Sequence, residues 1–247
     1  MVRRGFDVEF HHCSSDTESL DGVVIPDIGV GLIDGTSPHV VDPRFPGCVD
    51  EIVYLGDYWE EAALERHKQE ILDCVARIAE LFESAYRLLA AAKVLHDDLE
   101  RWNGGAMDWG LANSYAERVV SGALQGLEIA RVPGRIRHLF ASAITPGGPR
   151  NYLDTVVGGV KTRYVLTGDP GTGKATIAEK LARAASERGL YVEAYHCSLD
   201  PCKIEHVLIP ELSLALVTSA GPHVFAASAA DVVVDMNECL IPRKRQR

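Results

Sequence analysis

Arg163–Thr176 reads RYVLTGDPGTGKAT, and the fold is decided in this stretch. RYVLT predicts a short apolar strand. Gly168-x-x-x-x-Gly173-Lys174 then fits the phosphate-loop pattern, in the required place between a strand and a helix. Glycines at Gly168, Gly171 and Gly173 allow backbone N–H groups to turn inward around phosphate oxygens without a Cβ clash. The helix opening near Lys174 adds its partial positive charge, and Lys174 itself can reach the β- and γ-phosphates. Apolar residues at Ile177, Leu181 and Ala184/Ala185 have helical spacing, and Gly189 is a suitable stop. The site expected from this stretch is Gly168, Asp169, Pro170, Gly171, Thr172, Gly173, Lys174, Ala175 and Thr176, with Lys174 as the catalytic charge.

Ala175 departs from the pattern, because the residue after the lysine ordinarily supplies a hydroxyl to Mg²⁺. Thr176 lies about 100° further round the helix and is a poor substitute. Phosphate binding through backbone and lysine is therefore expected to survive better than metal-assisted chemistry.

Downstream of the loop the chain repeats an earlier segment. Gly5–Val41 and Gly189–Phe225 align without a gap at an offset of 184, with 14 of 37 positions identical. The identities include His12/His196, Cys13/Cys197, Asp16/Asp200, Pro26/Pro210 and Pro38-His39/Pro222-His223. In the first copy VGLID ends in Asp34, where a metal-binding aspartate would stand; the second copy has Thr218 there, and Asp235 or Asp200 are the substitutes within reach. At this offset the first copy's own loop falls before Met1, so the sequence reads as a shortened version of a longer two-copy protein. The shared HCS-x-D, at a strand end, is either a polar cluster that orients a nucleotide or a turn cap. Cys197, Cys202 and His206 have a spacing that zinc could use, although the first copy does not share it. His39 and His223, each behind a proline, are weaker catalytic candidates.

Between the copies the composition changes. Trp59–Trp102 contains no Gly or Pro, and Ile71, Val75, Ile78, Phe82, Ala85, Leu89, Ala92 and Leu95 follow a three–four spacing. This predicts a long amphipathic helix, broken at Asn103–Gly105, and a second helix capped by Asp108, the two forming an antiparallel hairpin. The hairpin packs on its neighbour's core, or serves as a lid or an oligomer or partner contact. The expected fold is α/β, a phosphate-loop-type parallel sheet with flanking helices and the inserted hairpin. Its boundaries are 1–57 for the partial first repeat, 58–130 for the hairpin and 131–247 for the second repeat.

The bulk numbers narrow the function. With 247 residues, 47% hydrophobic and 24% charged, the chain has an ordinary globular balance. A net charge of −10 argues against a general nucleic-acid binder. No apolar run approaches the roughly 20 residues needed to span a bilayer. Six scattered cysteines without a C-x-x-C pair read as a reduced, cytoplasmic protein. The terminal RKRQR reads as a solvated end.

FDVEFHHCSSDTESLDGVVIP, GVGLIDGTSPHVVDPRFPGCVDEIVYLGDYW, HLFASAITPGGPRNYLDT and RYVLTGDPGTGKAT together resemble a bacterial family of tandem P-loop proteins, ATPase- or nucleotide-kinase-like. The resemblance implies a cytoplasmic ATP-binding protein with two P-loop halves joined by a helical region. It implies ATP as the nucleoside triphosphate, with Mg²⁺ ligation weakened at Ala175, and either ATP hydrolysis or phosphoryl transfer. A nucleotide-binding regulatory or scaffold module without turnover is the alternative.

Overall fold

The computed structural model describes residues 1–37 and 39–242; Pro38 of the repeat and the terminal RKRQR lie outside them. The chain divides into two units, Met1–Arg87 and Leu88–Arg247.

The first unit holds a three-stranded antiparallel sheet, β1 (Glu9–His12), β2 (Leu20–Ile25) and β3 (Val30–Ile33). A short helix α1 (Glu61–Arg66) follows, then the long helix α2 (Lys68–Gly105), whose last turns belong to the second unit. The helical periodicity of Trp59–Trp102 is thus realised as α2.

The second unit adds α3 (Trp109–Ala123), β4 (Ile136–Leu139), the hairpin β5 (Ser142–Thr145) and β6 (Gly148–Asn151), and α4 (Leu153–Val157). Then come β7 (Thr162–Thr167), α5 (Lys174–Glu187), β8 (Val192–His196), β9 (Ile204–Ile209), β10 (Leu214–Thr218) and β11 (Val232–Asp235). Six strands form one sheet in the order β11-β7-β10-β9-β8-β4. The unit is α/β as expected, but the sheet is mixed and not parallel: β9 runs against both its neighbours. The connections from β8 to β9 and from β9 to β10 are too short for a crossover, so these strands turn back as hairpins.

The two copies of the repeated segment adopt the same strand pattern in the same register. Glu9 lies opposite Val24 and Gly22 opposite Ile33; Glu193 lies opposite Leu208 and His206 opposite Val217. Even the irregularity recurs, between His11 and His12 and between Tyr195 and His196. Gly29 and Ser213 both take left-handed backbone, with φ of 63° and 46°.

Their surroundings differ. In the second copy β10 is buried along its whole length. Leu214 and Leu216 pack with Leu166 of β7, Ile177 and Leu181 of α5, and Ala112, Ala116 and Val119 of α3. Ala215 and Val217 face Leu153 and Val157 of α4. This is the alternation of a central strand covered on both sides. In the first copy β3 is exposed throughout.

The expected helical hairpin is not formed. Asp108 does cap α3, accepting the Leu111 N–H at 3.0 Å. The apolar face of α3 is spent on α5 and the sheet. Along α2, Val75, Ile78 and Leu95 stay exposed. An apolar stripe fixes that a helix will bury a face, not which neighbour supplies the cover. Among the described residues no helix is long and apolar enough to cross a membrane.

The contrast between the copies gives a stability test. Leu216→Ala should destabilise the α/β unit by about 2–5 kcal/mol, because it opens a cavity in a fully buried position. Its repeat counterpart Leu32, 67% exposed, should tolerate alanine within about 0.5 kcal/mol. Urea unfolding of the two variants separates these outcomes.

Candidate functional site

The stretch that decided the fold lies where sequence reasoning put it, between the end of β7 and the start of α5. Asp169 is anchored from outside: its N–H donates to Asn237 Oδ1 at 2.9 Å. The turn carrying Asn237 is itself held by Asp235, whose carboxylate accepts the Asn237 N–H at 3.0 Å. Thr172 is fully buried, and its hydroxyl donates to the Asp169 carbonyl at 2.8 Å.

The last turns of α2 support the loop. Asn103 is buried and its side-chain amide donates to the Pro170 carbonyl at 2.8 Å. Gly171 has φ of 81°, and a Cβ there would lie 2.2 Å from the Glu100 carbonyl oxygen. Glycine at this position is therefore fixed twice, by left-handed backbone and by the close passage of α2. Beside this contact is a cavity of about 390 Å³ lined by Leu99, Trp102, Asn103, Ala106, Asp169 and Pro170.

Lys174 is buried, and its ammonium donates to the carbonyls of Gly168 and Asp169, both at 2.7 Å. Burial pulls its pKa below the ordinary lysine value; the negative charges of Asp169, Glu100, Glu205 and Asp235 oppose that shift. Gly173 precedes the first turn of α5, and no side chain caps that turn. Among the described residues, none accepts from the backbone N–H groups of Gly171, Thr172 or Gly173. Unclaimed backbone N–H groups, a helix N-terminus and one lysine ammonium are a donor set for phosphate oxygens.

The acids named from sequence have other work. Asp235 caps the turn that carries Asn237, as above. Asp200 is paired with Lys93 at 3.1 Å and with Lys203 at 3.2 Å. Lys203 also pairs with Glu100. Ala175 offers no side-chain oxygen, and Thr176 sits on the exposed side of α5. Of the usual Mg²⁺ donors, the loop lacks the hydroxyl that follows the lysine.

The shared HCS-x-D is a turn cap in both copies. His12 Nδ1 lies 3.0 Å from the Thr17 carbonyl, and His196 Nδ1 lies 2.6 Å from the Pro201 carbonyl, its repeat counterpart. Asp16 accepts from the Glu18 N–H and Asp200 from the Cys202 N–H. In the second copy His196 also meets His138, ring nitrogens 2.7 Å apart. Cys202 is exposed and His206 is buried, its Nδ1 accepting the Thr218 N–H at 3.1 Å. Among the described residues the only converging ligand set is His96, Asp97 and Glu100 of α2, and its two acids pair with Lys93 and Lys203. His223 is buried, with Nδ1 3.3 Å from the Asn151 amide; His39 is exposed.

Sequence reading missed Glu205. It stands on β9 beside Thr218, by the register that sets His206 opposite Val217. Thr218 in turn is level with Leu166, two residues before the loop. The Glu205 side chain is 15% exposed; its buried Oε2 has no hydrogen-bond partner, and His206 Nε2 lies 3.7 Å away. The buried hydroxyl of Thr218 also has none. Burial raises the Glu205 pKa from 4.5 to about 7, and the Lys174 charge is what restrains it. A signal was available: the repeat places Asp21 at the corresponding position, so both copies carry an acid inside a strand.

No protein-family model matches the sequence, and neither a curated protein nor a solved structure matches the chain.

The two buried titratable neighbours on β9 pull stability in opposite directions. Burial, and then nearby His223, push His206 down from 6.5 to about 3. The unfolded chain takes up a proton that the folded one refuses, so this contribution is present above pH 6.5 and is lost as pH falls toward 3. Glu205 keeps its proton in the folded state up to about pH 7, against 4.5 ordinarily. Its contribution is full below pH 4.5 and is lost as pH rises through 7. Glu205→Gln should therefore melt higher than the parent at pH 8, with the gap closing toward pH 4.5. An equal gap at both ends of a thermal-melt series would contradict this assignment.

Proposed function

We propose that the α/β unit binds a nucleoside triphosphate, ATP foremost, with Gly168–Thr176 around the phosphates and Lys174 on the β,γ end. The observation that carries this reading is the state of Lys174: a buried ammonium resting on the carbonyls of its own loop, at the mouth of a helix whose first turn no side chain caps. A lysine in that position loses hydration, and its hydrogen bonds go only to neutral oxygens. Phosphate oxygens would meet the ammonium and the unclaimed loop N–H groups together, through charge-assisted hydrogen bonds. The cavity flanked by Trp102 offers an apolar wall next to the loop for the rest of the nucleotide.

Two chemistries are compatible with such a site: hydrolysis or transfer of the γ-phosphoryl group, or binding without turnover. Ala175 and Thr218 favour the second, since both stand where Mg²⁺ ligands ordinarily do.

Lys174→Ala should weaken a fluorescent ATP analogue by about 10- to 100-fold, the value of one charge-assisted contact. Unchanged affinity would refute the reading. Ala175→Ser restores an oxygen next to the lysine and should make binding, and any phosphate release, more dependent on Mg²⁺. No change would place the limit outside metal ligation.

A further inference from the structure

We propose that Glu205 is the general base that activates water for attack on the γ-phosphate, with the Thr218 hydroxyl positioning that water. The inference rests on the triphosphate-binding reading above and goes beyond it, assigning turnover to a site whose Ala175 and Thr218, taken alone, favour binding without it.

Asp200 and Glu100 are committed to lysines, and Asp235 to a backbone N–H. Asp169 stands at the loop's entry, where its own backbone is pinned to Asn237. Glu205 differs from all of these. Its Oε2 is buried without a hydrogen bond, and the positive charge it feels is that of Lys174, the group assigned to the β,γ end of the ligand.

The placement is fixed by the sheet. β9 is the one reversed strand, so its first residues, and not its last, come to the edge of the sheet that carries the loop. There Glu205 stands beside Thr218, the residue that replaced the expected aspartate. The acid has in effect moved one strand over. Two oxygens, one carboxylate and one hydroxyl, are buried at this edge with unspent hydrogen-bonding capacity, which costs stability. The buried hydroxyl of Thr172, by contrast, is hydrogen-bonded within the loop's own support. A water held between Glu205 and Thr218 would satisfy both groups and would stand next to the lysine-bound phosphate.

The step balances simply. The water oxygen forms the new bond to the γ-phosphorus, and the bond from that phosphorus to the β,γ-bridging oxygen breaks. Its electron pair leaves with the diphosphate, and the water's proton passes to the Glu205 carboxylate. A carboxyl group that titrates near neutrality suits this task, because an effective base has a pKa near the working pH. The charged and titratable groups around it are Lys174 from α5, His206 on its own strand and Cys197 at the end of β8. Glu100, Asp169 and Asp235 act through the lysine. His206 stays neutral throughout the relevant range, and burial raises the Cys197 thiol, so Glu205 is the group that should govern the acidic limb.

The test uses the whole purified chain, with a fluorescent ATP analogue for binding and phosphate release from ATP, in buffer containing MgCl₂, for turnover. Glu205→Gln should bind the analogue within about threefold of the parent and lose about 100-fold or more of its phosphate release. Glu205→Asp should recover part of the loss. Thr218→Val should lower the rate about tenfold with KM unchanged. The parent rate should rise with pH and level off above about 7, and Glu205→Gln should lose that dependence. Undiminished release by Glu205→Gln, or binding without any release by the parent, would overturn this proposal alone. Failure of the parent to bind the analogue would instead remove the triphosphate-binding reading, and this proposal with it.

Discussion

A lysine ammonium placed in the interior is the constraint on which the rest of the second unit depends. Lys174 can stay there only if oxygens and negative charge surround it, because burial alone drives it toward the neutral form. The carbonyls of Gly168 and Asp169 supply the oxygens, and they are aimed inward because the loop is pinned on two sides. Asn237 holds Asp169, and Asn103 holds Pro170. The first anchor follows from β11 and the second from the end of α2, so elements distant in sequence serve one local geometry. Gly171 completes the arrangement by letting α2 pass within reach of the loop backbone.

Glu205 is the other half of that balance. Lysine and glutamate each pay for burial, and each moderates the shift of the other. A buried carboxylate with an unbonded oxygen is a poor device for stability, since an apolar residue there would avoid the desolvation. Sites that perform chemistry retain such groups, because a perturbed pKa beside a specific charge is what acid–base work requires. The same reasoning sets Glu205 apart from Asp200, whose two lysine partners hold its pKa low and make it a structural charge.

The loop, its flanking strand and helix, and the repeat were legible because each leaves a local mark: glycine spacing, an apolar strand, a helical period, an ungapped alignment. The repeat was legible down to register, as the matching pairs Glu9–Val24 and Glu193–Leu208 show. The reversal of β9 was not read, although short connections on both sides of it carried the information. The helical hairpin was misread because the stripe of α3 is equally suited to α2 and to α5, and tertiary packing chose α5. Glu205 escaped notice because one acid in IEHVLI looks like an ordinary solvent-facing strand residue. Only the strand order brings it beside Thr218, at the end of the sheet that carries the loop.

The central claim is that the loop recognises the phosphate chain and not the nucleoside. Displacement of a bound fluorescent ATP analogue by inorganic tripolyphosphate, set beside displacement by adenosine, measures this directly. The account predicts that tripolyphosphate competes effectively and adenosine weakly, with the tripolyphosphate competition weakening as ionic strength rises, as a charge-assisted contact must. Displacement by adenosine with tripolyphosphate inert would contradict it, and would move the recognition from Lys174 to some other surface of the chain.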